Sequence, residues 1–277
     1  MSHNARMLAY SDPVSVSETL REELLEFAVE AVVLAGAETL PFFRAGAAVE
    51  NKLGDGRFDP VTEADRAVEI VLRDRIKARF PGHGICGEEF GTDSGNGLTW
   101  VIDPIDGTRA FVSGMLHWGV LLALFDGARP LVGAMYQPFT EELWCGDGRK
   151  AEFHHRGKVR PISTRQCSGL GDAVLATTNP GLFQGEGREG FARLESAVKL
   201  ARYGGDCYNF GMVAMGYVDL ATDARLNPYD IQALMPIIEG AGGVVTTYGG
   251  ENASMGGDVL ASASIELHEA ALRLFNG

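Results

Sequence analysis

Basic side chains are scarce in this chain. Its 277 residues carry 24 Lys plus Arg against 37 Asp plus Glu, a formal net charge of -13. Nucleic acid and anionic membrane are repelled at that charge, which argues against both as main partners. A phosphate can still be held locally where a metal cation reverses the sign. Cysteine is scarce too. Cys86, Cys145, Cys167 and Cys207 form no CxxC pair and no zinc-ligand spacing, so buried free thiols in a reducing cytoplasm are expected. No Cys-x5-Arg anion cradle surrounds Cys86 or Cys207, which argues against a cysteine nucleophile. No apolar run approaches the length of a membrane span, and the opening MSHNARMLAYSDPVSVS lacks the apolar core of a signal peptide. There are no repeats and no low-complexity tracts.

What is present is a chain 45% hydrophobic, long enough to bury the core of one large domain or two closely joined ones. Ser17 is placed to cap a first helix, in which Leu20, Leu24, Phe27, Ala31 and Leu34 recur at helical spacing, running to near Gly46. TEADRAVEIVLRDRIKARFPG predicts a second helix stopped by Pro81-Gly82. Strands are expected at GIC, LTWVI, WGVLLALF and PLVGAMY, and later at AVLAT, VDLAT, GGVVTT and DVLASA. Between and after these come helices over 189–199, around 211–216, over 229–240, and at the C-terminal end. The first half reads as α+β and the second as α/β, with a boundary in the polar HHRGKVRPISTRQ. That divides the chain into 1–155 and 156–277. The histidines His83, His117, His154 and His155 lack metal-ligand context and read as surface or turn residues.

The acids follow a tighter pattern. In WVIDPIDGTRAFVSG, Asp103 ends an apolar strand and Asp106 follows in a Pro-initiated turn. In GICGEEFG, Glu88 and Glu89 end another apolar run. Taken singly, each is also a plausible turn or solvated pair. Together, Glu88, Asp103 and Asp106 are three acids at strand ends, and a hard cation with oxygen ligands would relieve their repulsion. Gly107-Thr108-Arg109-Ala110-Phe111 then opens a helix whose free N–H groups suit a phosphate. A metal site beside an anion site points to metal-assisted phosphoryl chemistry.

GEEFG, WVIDPIDGTRAF and NPYDIQALMPIIEGAGGVV resemble, in order and separation, the signature regions of the inositol monophosphatase family of magnesium-dependent, lithium-sensitive phosphomonoesterases. The resemblance runs from about Lys52 to the C-terminal strands. It implies a layered αβαβα sandwich, two or three Mg2+ ions per site and a homodimer. It assigns Glu88, Asp103 and the carbonyl of Ile105 to one metal. Asp103, Asp106 and Asp230 go to a second, on which Li+ would act. Gly107 and Thr108 meet the phosphate. Asp65 pairs with Thr108 to draw a proton from the attacking water, which Glu88 orients, and Lys52 lies near the metals. Two of these acids have local readings as well: Asp65 in a capping box, and Asp230 as a first-turn acid stabilised by its helix dipole.

RYGGDCYNFG, TRAFVSG and FPGHGICGEEFG are similar to the histidinol-phosphate phosphatase branch of that family. This implies hydrolysis of histidinol phosphate in histidine biosynthesis, with Arg109, Asp206 and Asp223 as substrate contacts. Asp206 and Asp223 supply charge to pair the ammonium and imidazole of histidinol, a need that a polyol does not have. Asn227 departs from the Lys of that branch and Asp223 from its usual Glu. Asp206 also stands where it could cap the helix that follows. The alternatives are an inositol-1-phosphate or nucleotide-type phosphatase and a non-catalytic paralogue that binds a phosphorylated metabolite. The filled acid positions argue against the last.

Overall fold

The computed structural model describes residues 8–45, 49–51 and 60–277. In chain order the first half holds α1 (Glu18–Gly36), β1 (Val49–Asn51), β2 (Pro60–Thr62), α2 (Glu63–Arg79), β3 (Gly84–Gly87), β4 (Gly91–Asp93) and β5 (Thr99–Asp106). It continues with α3 (Thr108–Val112), β6 (Gly119–Phe125), β7 (Pro130–Gln137), β8 (Glu142–Gly146), β9 (Ala151–His155) and β10 (Lys158–Pro161). The second half holds β11 (Val174–Thr177), α4 (Glu186–Ala197), β12 (Leu200–Tyr203), α5 (Cys207–Ala214) and β13 (Leu220–Leu226). After these come α6 (Pro228–Ile231), α7 (Leu234–Gly240), β14 (Val244–Thr247), β15 (Gly257–Ser262) and α8 (Ile265–Asn276).

Alternation along the strands builds the layers. In β5, Trp100 and Ile102 point to one face and pack with Leu24, Phe27 and Val32 of α1 and with Val68, Leu72 and Ile76 of α2. Val101 points to the other face, where it joins Phe210 and Val213 of α5, Ile237 and Ile238 of α7, and Ala221 and Val259 from the second sheet. The far face of that second sheet, through Leu175, Leu220 and Leu260, packs on Phe191 and Leu194 of α4 and on Leu267, Ala271 and Phe275 of α8. The result is the expected αβαβα sandwich. Its larger sheet has eight strands in the order β10-β9-β8-β7-β6-β5-β3-β4, and its smaller one five in the order β12-β11-β13-β15-β14. The central strands β5, β6 and β7 of the larger sheet are covered on both faces, which is why their sequences are almost continuously apolar.

Several boundaries differ from the sequence expectation. Ser17 does cap α1, its hydroxyl accepting from the Leu20 N–H at 3.2 Å. The helix stops at Gly36, however, well short of Gly46, and passes into a short 3-10 turn. There the Thr39 hydroxyl donates to the Gly36 carbonyl at 2.6 Å, and Pro41 disfavours helix for the residue before it. The single helix expected over 229–240 is two. Pro236 supplies no N–H and its ring collides with the carbonyl four residues back, so α6 ends and α7 begins around Gln232 and Ala233. The helix expected around 211–216 begins earlier, at Cys207. β10 pairs with β9, which carries the larger sheet to Pro161, within the polar stretch 154–166. Among the described residues no helix is long and apolar enough to cross a membrane.

α8 carries a buried histidine. His268 Nδ1 is 2.9 Å from Ser262 Oγ and its Nε2 is 2.8 Å from Thr246 Oγ1, both uncharged partners. Burial pushes its imidazole down to about 4. Because this lies below the ordinary value of about 6.5, the unfolded chain binds a proton between the two values that the folded chain does not. The folded state therefore loses stability as pH falls through that window, by about 3 kcal/mol over the whole of it. Urea unfolding of His268→Gln should show a smaller drop between pH 7 and pH 4.5 than the unsubstituted chain. Parallel losses would mean that His268 is not the group responsible.

Candidate metal and phosphate site

The site begins with a shift in strand register. Asp103 lies opposite Leu121 and Asp106 opposite Gly119, so three steps on β5 match two on β6. Strict alternation would send Asp103 and Asp106 to opposite faces; the extra residue brings both to the inner one. Pro104, which has no N–H to give to the ladder, sits within the irregularity. Asp103 is sealed inside at 1% exposure, whereas Asp106 and Asp230 are half-buried and keep surface open to solvent.

Two helices dock on this pair. Asp106 Oδ2 accepts the Cys207 N–H at 2.6 Å and so caps α5. Asp206, the residue before that helix, makes no capping bond with its side chain. α6 supplies Asp230, whose Oδ2 accepts the Asn227 N–H at 2.6 Å in a capping box. The local reading of Asp230 as a helix-end acid is thus realised, and the same fold places its carboxylate with those of Asp103 and Asp106, ligand atoms within 4.8 Å of one another.

The electrostatics confirm how closely the acids gather. Burial pushes the Asp103 carboxyl well above the ordinary range, and Glu88, Asp106, Asp230 and Asp65 push it further. Asp106 is raised by burial and then by Asp206 and Asp230. Asp230 is raised by burial to about 6, with hydrogen bonds from Asn227 and Asp103 holding it back. Asp103 Oδ1 is buried with no hydrogen-bond partner. An orphaned carboxylate oxygen ringed by other acids is what a hard divalent cation satisfies, so these residues fit Mg2+.

Asp65 is 2% exposed in the first turn of α2 and stands among the acids acting on Asp103. Gly107 takes the left-handed conformation at φ 86°, and a Cβ there would lie 2.5 Å from the His117 carbonyl oxygen, so only glycine fits. Thr108 opens α3, and its hydroxyl donates to the Ile105 carbonyl at 3.0 Å. Arg109 is exposed beside the site and acts on Asp206. Asp206 is raised by burial to about 7, with Asp223 adding to the rise and Arg109 opposing it. Asp223 itself is engaged: its Oδ1 accepts from Thr177 Oγ1 at 2.9 Å and from Thr178 N at 2.8 Å, and its Oδ2 from Thr178 Oγ1 at 2.8 Å. It ties β13 to the end of β11. Lys52 lies outside the described residues.

One residue was not anticipated. Glu69, fully buried in α2, accepts the Glu89 N–H at 2.7 Å and the Phe90 N–H at 3.1 Å, pinning the turn that carries Glu88. Arg73 holds Glu69 in turn, Nε to Oε1 at 2.7 Å, and reaches Asp93 and the Gly91 carbonyl. Gly87 leaves room for it, since a Cβ there would lie 1.9 Å from Glu69 Oε1. In sequence, Glu69 and Arg73 look like an ordinary surface pair four residues apart.

Known proteins resemble this chain along most of its length. The sequence profile described as the inositol monophosphatase family matches residues 20–277. The chain belongs to the inositol monophosphatase family. A histidinol-phosphatase of Chlorobaculum parvum is 37% identical, covering 87% of this chain and 92% of that one. The chloroplastic bifunctional phosphatase IMPL2 of Arabidopsis thaliana is 35% identical over 93% of this chain and 77% of its own length. The solved structure of an inositol monophosphatase from Zymomonas mobilis superposes with a TM-score of 0.82 at 36% identity, covering 95% of this chain and all of that one (100%). As a member of this family the chain is a metal-dependent phosphomonoesterase acting on a small phosphorylated substrate.

The family's metal dependence gives Glu69 a measurable role. Glu69→Ala should raise the Mg2+ concentration for half-maximal activity roughly 10–100-fold, the usual cost of removing a group that orients a ligand. It should also lower the thermal midpoint, because Arg73 loses its buried partner and keeps only the exposed Asp93 and the Gly91 carbonyl. An unaltered Mg2+ activation curve would show that the Glu88 turn holds itself.

Proposed function

We propose that this phosphatase hydrolyses histidinol phosphate to histidinol and phosphate, as a step of histidine biosynthesis in the cytoplasm. The observation that carries this reading is Asp206. It sits at the mouth of the acid cluster, where a Cβ on Gly107 would come within 3.2 Å of its own Cβ. Its backbone is held at φ 44°, ψ -134°, a region that side chains avoid, and its carboxylate does not cap the helix behind it. A strained acid spared from the local role supports a ligand role, and a cationic substrate gives it one. Asp223, its oxygens committed to Thr177 and Thr178, acts on the substrate through its charge on Asp206. The similarity to a protein named histidinol-phosphatase points the same way.

Glu88, Asp103, Asp106, Asp230 and the Ile105 carbonyl would hold Mg2+, which when bound polarises the phosphate and lowers the pKa of water. The chain's own groups do the rest. Asp65 and Thr108 take the proton of the attacking water while Glu88 orients it. The water oxygen bonds to phosphorus in line with the departing ester oxygen, the P–O ester bond breaks, and the leaving alkoxide is protonated. The N–H groups of Gly107 and Thr108 stabilise charge on the phosphoryl oxygens. Arg109, exposed beside them, contacts the substrate. The resemblance to the family also supports a homodimer and inhibition by Li+.

A second reading, inositol 1-phosphate as substrate, is supported by the likeness to the inositol monophosphatase of Zymomonas mobilis. Asp206→Asn separates the two. It should lower kcat/KM for histidinol phosphate by roughly 10–100-fold, the worth of a charge-assisted hydrogen bond of about 1.5–3 kcal/mol, and leave inositol 1-phosphate nearly unaltered. Equal losses on both substrates would return the chain to the inositol-phosphate reading. Asp103→Asn should remove nearly all Mg2+-dependent turnover of either substrate while circular dichroism stays native. Substantial turnover in that variant would overturn the metal assignment.

A further inference from the structure

Away from the catalytic acids, the pairing of β8 with β9 assembles a second group of donors. Cys145 lies directly opposite Glu152 in the antiparallel register, and His154 follows two residues later on the same face of β9. Cys145 Sγ is 3.7 Å from His154 Nε2, and that same nitrogen is 3.3 Å from Glu152 Oε2. All three ligand atoms lie within 4.8 Å of one another. Bond lengths of about 2.3 Å from zinc to sulfur and about 2.0–2.1 Å to nitrogen or oxygen give tetrahedral edges of about 3.6 Å for S···N and about 3.3 Å for N···O. The two measured separations match those edges.

Access is also provided. Cys145 is buried, while Glu152 and His154 are half-buried. His154 borders a cleft of about 300 Å3 between α1 and the sheet, lined also by Val29, Val33, Tyr136 and Leu143. An ion can enter there, and a water can complete a fourth position. We infer that Cys145, Glu152 and His154 form a site for a borderline-soft divalent cation such as Zn2+, separate from the all-oxygen Mg2+ site. Thiolate and imidazole select Zn2+ or Co2+ over Mg2+. An ion there clamps the β8–β9 hairpin, and it couples to stability because only the folded chain brings the three donors together. The four cysteines have no zinc-ligand spacing among themselves; the register of two strands replaces it.

The test uses the full chain, stripped with a chelator and kept in saturating Mg2+ so that the catalytic acids are occupied. Titration with Co2+ should raise a near-ultraviolet thiolate-to-cobalt charge-transfer band that levels off at one equivalent. Cys145→Ser should abolish the band, and His154→Ala should weaken Co2+ binding by roughly tenfold or more. Zn2+ should raise the thermal midpoint of the unsubstituted chain but not of either variant. Both variants should keep their Mg2+-dependent phosphatase activity. Should Cys145→Ser fail to fold, His154→Ala decides the matter alone, since its side chain is only partly buried. No charge-transfer band in the unsubstituted chain overturns the proposal, as does a band of undiminished affinity in His154→Ala or one that persists in Cys145→Ser.

Discussion

Mutual repulsion among buried carboxylates is the constraint around which this protein is organised. Asp103 is sealed in the middle of the sandwich with Glu88, Asp106, Asp230 and Asp65 acting on it, and one of its oxygens has no partner. Such a cluster opposes folding wherever its members ionise, because each charge is both desolvated and facing its like. A divalent cation reverses that sign, so affinity for metal and the fold's electrostatic strain are two views of one arrangement. The substrate's phosphate, itself anionic, is attracted only once the acids have been overcompensated. This is how a chain of net charge -13 serves an anionic substrate.

Holding repelling groups in place requires other bonds to fix each one. Asp106 is held by the Cys207 N–H and Asp230 by the Asn227 N–H, so the helices α5 and α6 are anchored by the same carboxylates that could hold the metal. The Glu88 turn is held by Glu69, which is held by Arg73. The register shift in β5 places Asp103 and Asp106 on one face. Capping, bulge and buried ion pair are ordinary structural devices, and here each aims a candidate ligand. Few of these residues can be assigned to fold or to function alone.

Substrate preference rests on a thinner layer. Asp206 differs from Asp106 and Asp230 in that no helix uses its side chain, although it occupies the position from which it could cap α5. The cap is supplied from across the site by Asp106 instead. That exchange frees one carboxylate at the rim, beside Gly107 and Arg109, and this is what supports the proposal that it tells a cationic alcohol from a neutral one.

The amino-acid sequence by itself determined the apolar strands and, through its resemblance, the αβαβα class, and it marked Glu88, Asp103, Asp106 and Asp230 as candidate ligands. Buried strands are continuous apolar runs, and the acids interrupt those runs at their ends. It was silent on the polar strands β9 and β10 at one side of the larger sheet, whose residues lack a strong apolar pattern, and it ran the 229–240 helix through Pro236. Only the tertiary structure decided which acids meet: Asp103, Asp106 and Asp230 come together, while Asp106 and Asp230 also cap helices. A capping acid and a metal-binding acid are the same residue type at the same helix position, and what separates them is where other chain segments place their charges. For the same reason Glu69 stayed hidden as a surface-like pair with Arg73, and Cys145, Glu152 and His154 met only through the register of two neighbouring strands. Local spacing does not record that the Glu69–Arg73 pair is buried, nor that Cys145 lies opposite Glu152.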